Sequence, residues 1–392
     1  MKTKIKYAII PFLIAIVAII FIQINRNEAH REGYIMVAFE WNREFRIDAN
    51  GDLWAWGYNR GGALGVGIIP TTPENMYVYE PVKILSNVVY VAAEGSSGLA
   101  LKEDGTLWGW GNTFIGPFLD APPQSPFVSV HFEPVKLMEN MKAISAAGNT
   151  VMAIKNDNSL WGWGWNHMNP TVLGPNADIR IVWSMNGDEY FYVGEMECEP
   201  LFIMDDVQFI SLSESSAAAI KTDGSLWHWG GIWKGEIYTQ IDWGPRDFPI
   251  RQNTLEPIHI MDDVRYVSNG GSHMMIIRND NSLWAMGWNE HGQLGDGTTE
   301  HRLEPVHIMD DVLKVAVAPT HISSMPGYTL ALKTDGTLWH FGFYRPYGLQ
   351  SSDFEIITTP EKILENIAHI FTSNHLRAAA IDTSGNIIEW EH

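Results

Sequence analysis

One short pattern returns seven times along this chain: a turn pair of Asn or Asp with Gly or Asn, a small or polar residue, then Leu-Trp. The clear copies are Asn50-Gly51-Asp52-Leu53-Trp54, Asp104-Gly105-Thr106-Leu107-Trp108, Asp157-Asn158-Ser159-Leu160-Trp161, Asp223-Gly224-Ser225-Leu226-Trp227, Asp280-Asn281-Ser282-Leu283-Trp284 and Asp335-Gly336-Thr337-Leu338-Trp339. A degraded seventh stands at Ser384-Gly385-Asn386-Ile387-Ile388. Steps between the second turn positions are 54, 53, 66, 57, 55 and 49 residues, each the length of one propeller blade. Gly, and next best Asn, tolerates the left-handed backbone, so each copy reads as a β-hairpin closed by a two-residue type I′ turn.

An apolar strand such as Leu99-Ala100-Leu101 precedes each turn, and a Trp strand ending in Gly follows it. A third recurrent element is Glu80-Pro81-Val82, Glu133-Pro134-Val135, Glu199-Pro200-Leu201, Glu256-Pro257-Ile258, Glu304-Pro305-Val306 and Thr359-Pro360-Glu361. Because Pro donates no ladder hydrogen bond, these read as the starts of strands at a blade margin. Turn pairs follow them, from Ser86-Asn87 to Glu365-Asn366. The repeated Met-Asp-Asp-Val resembles a metal site, but other copies carry Asn, so it reads as a hairpin turn.

Four strands per unit predict an all-β fold: a seven-bladed β-propeller of four-stranded antiparallel blades over residues 35–392. Seven hairpins against six Pro strands predict closure across the chain ends, the strand near Met36-Val37-Ala38 sharing a blade with Ile387-Ile388-Glu389-Trp390. Deleting residues 387–392 is expected to open the ring.

Residues 1–6 carry Lys2, Lys4 and Lys6 ahead of an apolar run, and residues 7–24 are read as one apolar helix, a signal anchor or signal peptide, with 25–34 as linker. The exit Phe21-Ile22-Gln23-Ile24-Asn25 has no small-x-small pattern, favouring an uncleaved anchor. The lysines favour a cytoplasmic N-terminus, so the expected location is the cell membrane, single-pass with the propeller outside, or else secretion. The formal charge of −20 repels phosphate backbones, so nucleic acid is not expected as a partner. Cys198 is the one cysteine and excludes an intramolecular disulfide.

The Asp-Gly-x-Leu-Trp-x-Trp-Gly-x-Asn units and the stretch Asn289-Glu290-His291-Gly292-Gln293-Leu294-Gly295-Asp296-Gly297-Thr298 resemble the regulator of chromosome condensation repeat family, in its bacterial exported form. The resemblance covers nearly everything after residue 35 and implies a seven-bladed propeller. Its roles include nucleotide exchange on a small nuclear GTPase and secreted β-lactamase inhibition, so the fold leaves function open. The family often carries His on the inner strand. Here that position holds Arg43, Ser97, Thr150, Ser216, His273, Tyr328 and Arg377. This mixed ring presents neither a three-histidine metal set nor a nucleophile with its base, and no catalytic, cofactor or metal residue is assigned.

The leading reading is a scaffold that binds an extracellular or cell-surface protein through one propeller face. Just past the Trp-strand Gly lie Tyr58, Trp165, Trp288 and Phe343, while Asn112 and Gly231 break the series. Loop aromatics anchor interfaces because they bury large area with few rotamers. The same side chains could instead pack between blades. A second reading is an extracellular enzyme, a propeller lyase or glycan-active protein, using Asp178, Asp188, Glu189, Glu195 and Glu197 of the long third linker as paired carboxylates. Nucleotide exchange is the third, by family analogy.

Overall fold

The structure, a computed structural model, describes residues 36–391 except 41–42, 49, 73–75, 95–96, 113–129, 148–149, 166–178, 183–190, 195, 214, 234–250, 318–326, 345–354, 373–376 and 385–386. The expected anchor and linker, residues 1–34, lie outside the described residues. Among those described, no helix is long and apolar enough to cross a membrane.

Antiparallel sheets follow one another along the chain, spanning 36–85, 88–138, 141–204, 207–261, 264–309, 312–364 and 367–391. The first six have four strands, while the seventh has three, Ile367–Thr372, Arg377–Asp382 and Ile387–Glu391. An extra hairpin, Ile179–Val182 with Phe191–Gly194, is inserted in the third unit and lengthens it. The first strand of each sheet lies against the first strand of the next, from Met36–Glu40 to Ile367–Thr372. These strands therefore gather about a common axis and the fourth strands form the rim. Hydroxyls tie the seams: Leu212, Asn269 and Val317 donate their backbone N–H groups to Ser145, Ser211 and Ser268 of the preceding sheet, at 3.2, 3.1 and 3.4 Å.

The repeated motif is a local hydrogen-bond relay. Trp108 Nε1 donates to Thr106 Oγ1 (3.0 Å), which donates to Asp104 Oδ1 (2.6 Å); that carboxylate also accepts the Thr106 N–H. The same relay joins Asp157, Ser159 and Trp161; Asp223, Ser225 and Trp227; Asp280, Ser282 and Trp284; and Asp335, Thr337 and Trp339. In the first sheet Asp48 takes the Trp54 indole directly. Hydrogen bonds from the hydroxyl and N–H hold these carboxyls below their ordinary range, as at Asp104 and Asp335. Lys side chains lie over the same rings, Lys155 Nζ 3.6 Å from the Trp161 centroid.

The turn is not type I′. Gly51, Gly105, Asn158, Gly224, Asn281 and Gly336 have positive φ, but the residue before each does not. Gly105 N donates to Lys102 O, and Lys102 N to Thr106 O, giving a three-residue loop: a type I turn followed by one left-handed residue. The Asp side chain, by accepting the N–H two residues on, favours this turn. The left-handed residue then exposes its carbonyl to the next sheet: Gly105 O accepts Met141 N, Gly224 O accepts Val264 N and Gly336 O accepts Ile367 N, each at 2.9 Å.

Three further expectations are corrected. The recurrent prolines do not start strands. They sit in the middle of the rim strands, as Pro81 in Tyr77–Leu85 and Pro134 in Val130–Met138, where the register shifts and an edge bulge leaves no ladder bond to lose. The turn pairs after them are not hairpins: Asn87, Asn140, Asp206, Asp263, Asp311 and Asn366, all left-handed, carry the chain from the rim strand of one sheet to the first strand of the next. Nor do the terminal strands share a sheet among the described residues. Met36–Glu40 forms its own tight hairpin with Arg43–Ile47, the nearest partner in sequence, and Ile387–Glu391 pairs with Arg377–Asp382.

The core lies between sheets. Second strands such as Thr150–Lys155 and His273–Arg278 are buried nearly throughout. Trp110, Trp163 and Trp229, the second aromatic of Trp-x-Trp in the second, third and fourth sheets, are fully buried, whereas the first stays half-buried under its Lys.

Candidate functional site

Towards the end opposite the Asp turns, the third strands of the first six sheets each carry a glycine with positive φ, Gly57, Gly111, Gly164, Gly230, Gly287 and Gly342. Each pairs with the first residue of the second strand: Arg43, Ser97, Thr150, Ser216, His273 and Tyr328 respectively. A Cβ on Gly287 would stand 2.5 Å from Ser272 O and 2.7 Å from His273 Cα, so backbone approach demands glycine here. The six ring residues named are buried. Arg377 holds the same position in the seventh sheet, with its side chain outside the described set.

His273 is 2% exposed, and burial alone pushes its imidazole down to about 4. Neither ring nitrogen has a hydrogen-bond partner among the described residues, and a Cβ on Gly270 would meet its Cε1 at 3.1 Å. Beside it, Ser216 Oγ donates to Asn269 Oδ1 (3.2 Å), and Asn269 Nδ2 donates to Ser216 O (3.1 Å). Among the described residues, no group of three or more His, Cys, Asp or Glu side chains could hold a metal ion.

Among the described residues, two glycine-rich clasps leave this end and reach onto the neighbouring sheet. In the first, Asn59 Oδ1 accepts Leu64 N (3.1 Å) and Asn59 Nδ2 donates to Ile68 O (3.0 Å), while Asn59 N donates to Met76 O (2.8 Å). The loop grips the second sheet, where Trp110 Nε1 donates to Ala63 O (3.0 Å) and Gly67 N to Phe132 O (2.7 Å). In the second, Asn289 Oδ1 accepts Leu294 N (2.9 Å), and Nδ2 donates to Thr298 O, Glu300 O and Asp296 Oδ1. Asp296 accepts Thr298 N–H and Oγ1, and its Oδ2 accepts Arg302 Nε at 2.5 Å. Burial raises the Asp296 carboxyl, but the bonds from Thr298 and Arg302 outweigh it and hold the group below the ordinary range. This clasp grips the sixth sheet through Gly297 N to Thr358 O (2.8 Å) and Thr329 Oγ1 to Gln293 O (2.9 Å).

The four aromatic candidates have different fates. Trp288 is 7% exposed and stacks on His301, 4.3 Å between centroids, while His301 Nδ1 accepts Asn289 N; little of this indole remains for a partner. Phe343 is half-buried and edge-on to His291 at 6.1 Å, so the second clasp brings Trp288 and Phe343 to one loop. Tyr58 is half-buried and opposite Tyr77 in the ladder of the first sheet, away from that pair. Trp165 ends the strand Leu160–Trp165 opposite Met196, its side chain outside the described set. Of the linker carboxylates, Asp178, Asp188, Glu189 and Glu195 lie outside the described residues; Glu197 pairs with Gly164 in a rim strand. The sequence reading missed Lys314, buried on the first strand of the sixth sheet with its ammonium pushed down to about 8 by burial. The signal was a lysine where other sheets carry Tyr90, Phe209 and Tyr266.

Two models of the regulator of chromosome condensation (RCC1) repeat match residues 280–325 and 264–293. The chain is 22% identical over 254 residues to the ultraviolet-B receptor UVR8 of Arabidopsis thaliana, covering 63% of this chain and 51% of the receptor. It is 26% identical over 282 residues to the secretion-regulating guanine nucleotide exchange factor of Mus musculus, covering 67% of this chain and 57% of that protein. The chain thus spans little more than half the length of these relatives, both eukaryotic. Among solved structures, Prp20p of Saccharomyces cerevisiae, described with its binding to Gsp1p and histones, superposes with a TM-score of 0.59 at 18% identity over 86% of this chain and 80% of that one. Residues 264–325 therefore carry regulator of chromosome condensation repeats, on a chain whose sheets are arranged as in the solved propeller of that type.

Proposed function

We propose that this chain is a membrane-anchored or secreted scaffold that binds another protein through the clasp end of a seven-bladed ring. The observation that carries the reading is the placement of Phe343 and Tyr58, half-exposed aromatics at the ends of well-packed third strands, the position from which a rigid ring engages a surface. One sheet per turn unit, together with the run of first-strand neighbours from the first sheet to the seventh, supports seven blades. Residues 7–24 supply the anchor, and the propeller lies outside.

Cell-surface proximity labelling with the full chain, beside Tyr58→Ala and Phe343→Ala, tests this. Loss of a labelled partner with unchanged melting supports the clasp end. Unfolding of both variants, or labelling of cytoplasmic proteins alone, overturns it.

A second reading, guanine nucleotide exchange, is favoured by the described activity of the mouse relative. Release of a fluorescent guanine nucleotide from small GTPases on adding the chain would support it, and would require a cytoplasmic propeller. The clasp end would remain the engaging surface.

A further inference from the structure

The two clasps are copies of one loop. Aligned on Asn59 and Asn289, they read Asn-x-x-Gly-x-Leu-Gly in both, and both bury the Leu and bring the last Gly against an aromatic ring of the next sheet. Beyond that glycine they diverge. The second clasp continues with Asp296, Gly297, Thr298, Thr299 and Glu300, and the side chains of Asp296 and Thr298 bond within the loop. The first continues with Val66, Gly67, Ile68, Ile69 and Pro70, and it leaves Ile69 54% exposed with Ile68 beside it. The clasp fold itself does not require those side chains, since the other copy manages without them.

Asn59 bonds both Ile68 O and Met76 O, which sets these isoleucines beside the start of the rim strand Tyr77–Leu85. Tyr77 and Tyr79 point outward together there, ring centroids 4.8 Å apart, and Tyr79 is 78% exposed. Among the described residues the strand pairs on one side only. Glu80 follows Tyr79, and Glu133 of the next sheet stands at Gly67, its Oε1 2.7 Å from where a Cβ would sit. Both carboxylates are exposed, with no ion pair among the described residues. Lys83, further along the strand, is held by Asp52 at 2.6 Å. An exposed apolar cluster rimmed by polar groups marks an interaction site, and a free edge offers main-chain hydrogen bonds to an added strand.

We propose that this rim of the first sheet is a docking surface for an extended, basic segment of a partner protein. The segment pairs with the free edge of Tyr77–Leu85, sets apolar side chains against Ile68 and Ile69, and lays lysine or arginine over the tyrosine pair towards Glu80 and Glu133. Charge selects this occupant: the patch carries two free carboxylates and the whole chain −20, which disfavours a second copy of itself. The proposal rests on the protein-binding reading and gives it a second site.

The probe is a displayed library of random dodecapeptides, selected on the full chain and counter-selected on the Tyr77→Ser/Tyr79→Ser variant, both tyrosines being exposed enough to remove without unfolding. Recovered peptides are expected to combine Lys or Arg with apolar residues. They should bind the variant at least tenfold more weakly, weaken with added salt, and weaken further on Glu80→Gln/Glu133→Gln. Failure to recover peptides that discriminate the variant overturns the proposal, as does recovery of peptides without basic residues. Concentration-dependent dimers abolished by the tyrosine variant would assign the patch to a second copy, and flotation with neutral phosphatidylcholine vesicles would assign it to lipid; either overturns a basic peptide. Peptides should bind Phe343→Ala as they bind the unmodified chain. Loss there with no effect of the rim variants sinks this inference and leaves the clasp-end reading standing.

Discussion

The first and second clasps share a backbone and differ in what completes it. Both wedge a left-handed glycine against an aromatic ring, Gly65 at Trp110 and Gly295 at Phe341, each with a would-be Cβ 2.7 Å from ring carbon. Both use one Asn side chain as the internal brace. The second adds an Asp296–Arg302 pair whose carboxylate is buried and three bonds from Asn289 Nδ2, whereas among the described residues the first has one bond from Asn59 Nδ2 and outward-facing isoleucines. The lesson is that the sheet-to-sheet grip is set by glycine and aromatic shape, while the outer half of the loop is free to be closed on itself or offered to a partner.

The largest effect that would break this comparison is Gly65→Val against Gly295→Val. Each combines positive φ with ring overlap, so each should cost about 3 kcal/mol or more in thermal unfolding, and to a similar degree. A large cost at only one would mean that the grips are not equivalent.

Acid should separate the two sheets next. In the first sheet the ring position is Arg43; in the fifth it is His273, kept neutral by burial. An imidazole lowered to about 4 binds protons more readily unfolded. Its stabilising contribution is therefore complete above the ordinary histidine range, near 6.5, and falls as pH drops from there towards 4, by up to about 3 kcal/mol. Melting of His273→Met should lose less between pH 7 and 4.5 than the unmodified chain; an equal loss would place acid sensitivity elsewhere.

Bracing comes third. Asn289→Ala should cost about 2–3 kcal/mol and Asn59→Ala about 1–2, because the former orphans more buried groups. Hydrogen exchange at Leu294 and Leu64 N–H reads each loop separately. The smallest effect is Tyr79→Ser, within about 0.5 kcal/mol in melting, since the side chain is mostly in solvent. A clear loss of stability there would show that Tyr79 is packing and not a platform.

Much of this was legible beforehand. The Asp, the Ser or Thr two residues on and the Trp two beyond that lie within five residues, so their relay forms at each of the five copies that carry all three. The turn type was misread because dipeptide preference reports a left-handed second position and is silent on the first, which the Asp side chain decides. The prolines were misplaced because an edge bulge and a strand start tolerate proline for the same reason. Of the aromatic series, the sequence showed four equivalent strand ends; Trp288 is stacked on His301 and Phe343 half-open because a clasp twelve residues long folds back over one and only brushes the other.

Sequence alone therefore determined the repeat, the hairpin at its centre and the absence of an intramolecular disulfide, since these depend on contacts a few residues apart or on composition. Only the tertiary structure decided which sheets adjoin, that the first described strand, Met36–Glu40, belongs to the first sheet, that His273 is sealed from water and that Tyr77 and Tyr79 are not. Those outcomes depend on the neighbouring sheet at each seam and rim, and neighbours some fifty residues distant leave no local mark in the chain that meets them.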